Sequence, residues 1–320
     1  MIRFMFMCIF LREVSCMDSL RFLAVGDWGG IPFWPYDTPI ETKVAKQMAK
    51  VSEMYQSSFN LALGDNFYSN GVTDVDDKRF KETFEDVYHY DSLMNPWYIV
   101  AGNHDHYGNA SAQIAYTKRS ERWNFPDYYY SLNFKIPGGD GVDIIMIDTV
   151  LLCGNTDHDI VGDQPHGPEN VKVAEDHWAW LDTQLKSSKA EYLLVAGHFP
   201  VYSIAEHGPT KCLTNRLKPM LYKYNVTAYF CGHDHNLQHI SSSESGWTVD
   251  YFVSGAGNIV EDNKSHERDI PAGSLKFFWA KLIDLGGFAV VEATSKNMTM
   301  SFVDGFGSTL YSYTMYSRKS

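Results

Sequence analysis

Five short segments of the sequence place metal-type ligands directly after a hydrophobic run. In each segment, apolar residues lead to a glycine, and the next residue is Asp, Asn or His. The segments are Phe22–Asp27, Leu61–Tyr68, Ile99–His104, Leu193–His198 and Ala228–His235. Carboxylate, amide and imidazole groups are ligands of Fe, Zn and Mn ions in proteins. Five such segments in one chain predict a site that holds two metal ions.

The chemistry of the candidate ligands distinguishes a bridging ligand from terminal ligands. Two ions about 3.5–4 Å apart need a shared carboxylate and separate terminal ligands. Asp65 is the natural bridge, because it begins a turn that lies between the other ligand-bearing segments. The terminal candidates are two oxygen donors and three imidazoles: Asp27, Asn103, His198, His233 and His235. In an extended segment, His233 and His235 would point the same way and could serve two neighbouring ions.

A sheet must hold these ligands at one edge. Each apolar run is typical of a buried strand, and the carboxyl ends of parallel strands carry the chemistry of α/β proteins. Amphipathic helical patterns alternate with the strands as far as Gly232, as in βαβ units. From Leu237 onward, short strands follow one another, which predicts an antiparallel second sheet packed on the first. We therefore predict an α/β fold, a two-sheet β-sandwich with βαβ units flanked by helices.

Length, composition and charge limit the classes of function. The 320 residues are 44% hydrophobic and 21% charged, as in a globular protein. The ligands extend from Asp27 to His235, so we predict one catalytic domain over residues 17–320. A net charge of −12 without a Lys/Arg block argues against a nucleic-acid partner. A phosphorylated small substrate is still allowed, because bound cations would set the local charge.

The N-terminal segment indicates export. Phe4–Leu11 is an apolar run after Arg3 that is too short to span a membrane but suits a signal peptide, predicted over residues 1–16. An N-terminal strand or an inaccurate start are the alternatives. Four Asn-x-Ser/Thr sequons support a secreted or lysosomal glycoprotein: Asn109, Asn225, Asn263 and Asn297. No other apolar stretch approaches membrane length, so no membrane span is expected.

Three cysteines lie beyond the predicted leader. Cys231 lies within the apolar run before Gly232, and we expect a buried free thiol there. Cys153 and Cys212 both lie in loop-like segments, and a secreted protein would permit them to pair. Their spacing alone does not determine whether they are close enough.

The motifs together resemble those of the dinuclear metallophosphoesterases. The matching blocks are GDWG, GDNFY, GNHD, AGH and GHDH. Tyr68, three residues after Asp65, narrows the resemblance to the purple acid phosphatases. Among these, the chain as a whole resembles the small, single-domain animal type. Further similarity at Lys78–Asp86 (KRFKETFED) and Arg122–Pro126 (RWNFP) extends it over nearly the whole chain from Arg21.

This resemblance implies a ferric site beside a divalent site occupied by Fe(II) or Zn(II). The implied ferric ligands are Asp27, Asp65, Tyr68 and His235. The implied ligands of the divalent ion are Asp65, Asn103, His198 and His233. Tyr68 would bind Fe(III) as a phenolate, whose charge transfer gives a purple colour.

The resemblance also implies an activity and the residues that perform it. Phosphate monoesters, either small molecules or phosphoproteins, would be hydrolysed in acid by a metal-bound hydroxide. His104, His207 and Glu206 would contact the phosphate or protonate the leaving oxygen. Asp105 and Asp234 would orient the imidazoles.

Three further properties follow from the resemblance. The chain would be a monomer with a Cys153–Cys212 disulfide. The loop Val150–Pro168 would lie over the active site and repress it until a protease cuts the loop. No Lys or Arg occurs between Lys135 and Lys172, so a trypsin-like protease has no site in the loop. A cysteine protease that reads apolar residues such as Leu151 would be required.

Two alternative functions are open at the level of sequence. The first is a phosphodiesterase or nucleotidase of the same fold with a non-redox Mn/Zn pair, which Tyr68 disfavours. The second is a secreted iron-binding protein without catalysis, which the presence of both His104 and His207 disfavours.

Overall fold

The computed structural model describes residues 19–156 and 162–319. Fourteen strands lie in this part of the chain. In chain order they are β1 Leu20–Val25, β2 Phe59–Leu63, β3 Trp97–Val100, β4 Trp123–Asn124, β5 Tyr130–Phe134, β6 Val142–Met146, β7 Tyr192–Ala196, β8 Ala228–Cys231, β9 Leu237–Glu244, β10 Trp247–Ser254, β11 Leu275–Trp279, β12 Gly287–Ala293, β13 Asn297–Asp304 and β14 Thr309–Tyr316.

Six α-helices connect or cover the strands. They are α1 Pro39–Tyr55, α2 Asn103–Tyr107, α3 Ala110–Tyr116, α4 Thr149–Cys153, α5 Val171–Ser187 and α6 Lys211–Lys223. A π-helical turn at Phe80–Glu85 and 3₁₀ turns at Asp91–Leu93 and Leu282–Asp284 complete the helical structure of the described residues. The start of helix α1 is explained by its local sequence. Thr38 and Glu41 form a reciprocal capping box, and Pro39 occupies the first helical position.

The strands form two seven-stranded mixed sheets. One has the order β14-β13-β12-β1-β2-β3-β4, and the other has the order β11-β9-β10-β8-β7-β6-β5. Strands β1 to β4 are mutually parallel, as are β6, β7, β8 and β10. Each parallel core is extended by antiparallel strands. The predicted two-sheet sandwich with βαβ units is confirmed.

The prediction for the last third of the chain was wrong in one respect. The strands after Leu237 do not make a separate antiparallel sheet. Strands β9 and β11 join the sheet that contains β8, whereas β12, β13 and β14 cross over and extend the sheet that contains β1. The alternation along each strand shows which face is buried but does not identify the neighbouring strand, so the pattern could not distinguish the two arrangements.

The hydrophobic core has three layers. The central layer lies between the sheets, where Phe22 of β1 stacks on Phe59 of β2 and contacts Phe230 of β8 edge-on. On the outer faces, α1 covers the first sheet, and α5 and α6 cover the second. Burial on both faces explains why β7 and β8 are apolar along their whole length and why β2 has a single polar residue, the buried Asn60.

The cysteines behave as the sequence and the resemblance predicted. Cys153, at the end of α4, and Cys212, in the first turn of α6, form a disulfide with a Cα–Cα distance of 5.7 Å. Cys231 is a buried free thiol.

Within the described ranges, no helix is long and apolar enough to cross a membrane. The predicted signal peptide at residues 1–16 lies outside them.

Candidate metal centre

The structure brings the predicted ligands together at one edge of the sandwich. Each follows the carboxyl end of a parallel strand, so both sheets present their ligands at the same edge. Asp27, Asp65 and Asn103 follow β1, β2 and β3 of one sheet. The other sheet contributes His198 after β7 and both His233 and His235 after β8. The site therefore lies where the two parallel cores meet.

One half of the site is centred on His198. Its Nε2 atom lies 2.9 Å from Asn103 Oδ1 and 3.3 Å from Asp65 Oδ2. Ligand atoms of Asp65, His198 and His233 all lie within 4.8 Å of one another, and the three residues are buried. This donor set of one carboxylate, one amide and two imidazoles suits a divalent transition metal.

The other half of the site is centred on Tyr68. Its hydroxyl donates to Asp27 Oδ1 at 3.0 Å and lies 3.1 Å from His235 Nε2. His235 Nε2 in turn lies 3.8 Å from Asp27 Oδ1. A carboxylate, a phenol and an imidazole thus converge on one point. This donor set suits a harder and more highly charged ion than the donor set around His198.

Three of the candidate ligands have left-handed backbone conformations. The φ angles are 56° at Asp27, 52° at Asp65 and 73° at His233. A non-glycine residue in this region is disfavoured by on the order of 1–3 kcal/mol, and such residues cluster at functional sites. The surrounding hydrogen bonds hold this geometry, since His233 N donates to Asp27 Oδ2 at 2.8 Å and His104 N donates to Asp65 Oδ1 at 3.0 Å.

The glycines before the ligands are required for close approach as well as for turning. A Cβ on Gly102 would lie 2.1 Å from Asp65 Oδ1, and one on Gly232 would lie 2.3 Å from Asp27 Oδ2. Gly64 has a φ of +91°, and its Cβ would lie 2.5 Å from His198 Nδ1. Any side chain at these positions would displace a ligand.

Burial and mutual attraction set the protonation of the site. Burial raises the pKa of Asp27 to about 7, against the attraction of His198 and His235. Burial also acts to raise the pKa of Asp65, but the His198 and His104 imidazoles outweigh it and hold that pKa below the ordinary value. Although burial alone would lower the pKa values of His198 and His235, their acidic partners raise each to about 9. Burial among other imidazoles holds the pKa of His233 well below its usual range.

Two histidine ligands are oriented by acceptors on their outer nitrogen. His198 Nδ1 donates to the Leu63 carbonyl at 2.8 Å. His235 Nδ1 donates to Glu261 Oε2 at 2.9 Å. A proton on Nδ1 leaves the Nε2 lone pair directed at the site, as metal binding requires. The sequence analysis did not identify Glu261, because it lies 26 residues after His235 in a loop without any motif.

The proposed catalytic histidines contact different candidate ligands. His104 contacts the Tyr68 ring at a centroid distance of 4.6 Å, and its Nδ1 donates to the Ser69 carbonyl at 2.5 Å. The His207 ring stacks on His233 at 4.0 Å. Glu206 is partly exposed, and its pKa is raised by burial and by the nearby Glu261 carboxylate. All three predicted residues therefore border the site.

Asp105 and Asp234 have a different role from the one predicted. The Asp105 carboxylate accepts from the Gly102 backbone at 2.8 Å and from the Gln113 amide at 2.7 Å. Asp234 Oδ1 accepts from the backbone N–H of His207 at 3.0 Å. Within the described ranges, the hydrogen bonds of both carboxylates therefore position backbone segments that carry site residues, rather than imidazole rings. A sequence pattern shows that a carboxylate is near a histidine but not which donor it reaches.

The segment between α4 and α5 contacts the site both before and after residues 157–161. The Asn155 side chain donates to the Asn103 carbonyl at 3.2 Å. Beyond residues 157–161, which lie outside the described ranges, the Gly162 backbone donates to the Glu206 carbonyl at 2.9 Å. The segment therefore contacts the backbone of a candidate ligand and of a candidate catalytic residue.

Comparison with known proteins agrees with this geometry. A family model described as calcineurin-like phosphoesterase matches residues 20–237. The chain is 52% identical over 295 residues to human tartrate-resistant acid phosphatase type 5, covering 92% of this chain and 90% of the relative. It is 31% identical over 309 residues to purple acid phosphatase 17 of Arabidopsis thaliana, covering 95% and 86%. A solved structure of GAP50, the anchor in the inner membrane complex of Plasmodium, matches with a TM-score of 0.78 and 26% identity over 94% of this chain and 90% of that one.

Proposed function

We infer the activity of this chain from its membership: it belongs to the calcineurin-like phosphoesterase family and, within it, to the purple and tartrate-resistant acid phosphatases. It is an acid phosphatase that hydrolyses phosphate monoesters. The resemblance found in the sequence motifs is confirmed. Neither a phosphodiesterase with a non-redox metal pair nor an iron-binding protein without catalysis is favoured by these relatives.

The dinuclear centre is expected to contain Fe(III) together with Fe(II) or Zn(II). We assign Asp27, Asp65, Tyr68 and His235 to the ferric ion. We assign Asp65, Asn103, His198 and His233 to the divalent ion. The donor chemistry fits, because the only phenol among these groups lies beside Asp27 and His235, and phenolate stabilises Fe(III). When bound, the ions neutralise phosphate charge and lower the pKa of a coordinated water.

The protein's own residues bind the substrate and transfer the proton. The Ser69 carbonyl accepts from His104 Nδ1, and Nε2 lies 3.9 Å from Asp65 Oδ2. When Nε2 also carries a proton, the imidazolium can donate to a phosphate oxygen. His207 is fixed by its stacking on His233 and by the Asp234 carboxylate that accepts from its backbone. We assign protonation of the leaving oxygen to His207, with Glu206 beside it.

The convergence of Tyr68 with Asp27 and His235 carries this assignment, and one set of measurements tests it. Purified protein is analysed for metals, its visible absorption spectrum is recorded, and hydrolysis of an aryl phosphate is measured at acid pH. We expect two metal ions per chain with at least one iron, a tyrosinate band that Tyr68→Phe removes, and turnover. Turnover with two metals but no iron and no visible band would contradict the ferric assignment.

Residues 150–168 are proposed to repress the enzyme until they are cut. The contacts of Asn155 with the Asn103 carbonyl and of Gly162 with the Glu206 carbonyl support this role. Because the segment has no Lys or Arg, a cathepsin-type protease should raise turnover and trypsin should not cut there. A confirmed cut within the segment that leaves turnover unchanged would contradict the proposal.

We also propose that the chain is a secreted or lysosomal monomeric glycoprotein with one catalytic domain. The sequons and the disulfide support passage through an oxidising compartment. Mass mapping of secreted protein would test the glycans, and light scattering would test the monomer.

A further inference from the structure

A cleft of about 460 Å³ opens beside His207. Its walls include Tyr202, His207, Lys211, Thr214, His266 and Asp269. The His207 ring also stacks on His233 at 4.0 Å, so this imidazole borders both the candidate metal centre and the cleft. A substrate with its phosphate at the metal centre and its ester oxygen near His207 would extend its alcohol portion into this space.

One wall of the cleft is held by His266. Its backbone N–H donates to the Ile204 carbonyl at 3.0 Å, and its ring Nδ1 donates to the Ala205 carbonyl at 2.7 Å. The ring also packs closely on Gly208, where φ is +68° and a Cβ would lie 2.6 Å from the imidazole. His266 therefore holds the backbone that carries Glu206 and His207, and the wall is preformed.

The start of α6 also lines the cleft. The backbone N–H of Lys211 donates to Gln164 Oε1 at 2.9 Å, and the Gln164 amide donates to the Pro209 carbonyl at 3.3 Å. The disulfide at Cys212 attaches the same turn to the end of α4. These contacts give Lys211 a defined position at the mouth of the cleft.

Lys211 and Asp269 are the cationic and the acidic side chain that line the cleft. The Lys211 side chain is exposed and forms no ion pair within the part of the chain that the structure describes. The Asp269 carboxylate, by contrast, lies 4.0 Å from His266 Nε2. A lysine in the first turn of a 13-residue helix adds a cation to the positive end of the helix dipole, which is locally unfavourable. A bound anion would relieve that repulsion.

We propose that this cleft binds the alcohol portion of the substrate and that Lys211 selects phosphate monoesters with a second anionic group. The inference rests on the proposed phosphatase function and names its substrate class. Two sources share this chemistry: a phosphopeptide with an acidic neighbour, and a small molecule with a second phosphate. Both place a negative charge beyond the scissile bond, where the ammonium can reach it.

The test compares kcat/KM within matched substrate pairs. One pair is a phosphotyrosine peptide with Glu or Gln next to the phosphorylated residue. The other is a small diol that carries either two phosphates or one. Wild type, Lys211→Met and Lys211→Glu are measured, with Lys223→Met as the control because Lys223 lies at the far end of α6 and pairs with Asp182.

Wild type should prefer the substrate with the second anionic group in at least one pair. The pair that shows this preference identifies whether a phosphopeptide or a small molecule is the substrate. Lys211→Met should reduce the preference by roughly fivefold, the upper range for a partly exposed charge pair. Lys211→Glu should reverse the preference, and Lys223→Met should keep it. An equal preference in wild type and Lys211→Met overturns this inference. Absence of turnover on every substrate by the metal-loaded wild type would instead overturn the proposed function.

Discussion

Glu261 should contribute measurably to metal binding although it is not a ligand. Its Oε2 atom accepts a hydrogen bond from His235 Nδ1 at 2.9 Å, while His235 Nε2 faces Tyr68 and Asp27. The carboxylate therefore fixes the tautomer and the ring orientation of a proposed ferric-site ligand and increases its basicity. Replacing Glu261 should weaken the ferric site and leave the fold intact.

The size of the effect follows from the exposure of the pair. A hydrogen bond to a charged group contributes about 1.5–3 kcal/mol. Because the Glu261 side chain is 43% exposed and that of His235 only 11%, we take the lower end of this range. Glu261→Ala should thus weaken iron retention by roughly tenfold, since 1.4 kcal/mol is a factor of ten. Glu261→Gln should have a smaller effect, because its amide oxygen can still accept from Nδ1.

The assay is iron retention during titration with a chelator, followed by the visible band and by metal analysis. Glu267→Ala is the matched control, because Glu267 is exposed in the same loop. Circular dichroism verifies that each variant is folded. Equal chelator sensitivity in wild type, Glu261→Gln and Glu261→Ala would refute the reasoning, as would an equal loss in Glu267→Ala.

Three further predictions concern the site and the fold. Asp65→Asn should lose both metals because a bridging ligand serves two ions, whereas His104→Ala should keep the metals and lose turnover; equal metal loss in the two variants would reject these roles. Cys153→Ser should lower the free energy of unfolding by about 4 kcal/mol in the chain-entropy model, since the disulfide closes a loop with a separation of 59 residues; a change below about 1 kcal/mol in urea unfolding would reject it. Burial lowers the pKa of His177 to about 4, so between pH 6.5 and 4 the unfolded state binds more protons and stability decreases as the pH is lowered. The full loss is about 3 kcal/mol at roughly 1.36 kcal/mol per pKa unit, and urea unfolding at several pH values should show a weaker pH dependence in His177→Phe.

The sequence alone identified the candidate ligands and the edge of the sheet that carries them. An apolar run followed by glycine and a polar ligand is a local pattern, and the carboxyl ends of parallel strands meet at one edge whichever strands are neighbours. Asp27, Asp65 and His198 could therefore be assigned to one site before any contact was known. Tyr68 could be placed with them because it lies three residues after Asp65 in the same turn.

The tertiary structure alone decided the features that depend on distant contacts. The crossing of β12 to the sheet of β1 is set by long-range strand pairing, which alternation along a strand does not specify. Glu261 reaches His235 across 26 residues, and the Asp105 carboxylate binds backbone donors rather than a neighbouring ring. Local sequence identifies which groups can act as donors and acceptors, but packing of the whole chain decides which of them come within hydrogen-bond distance.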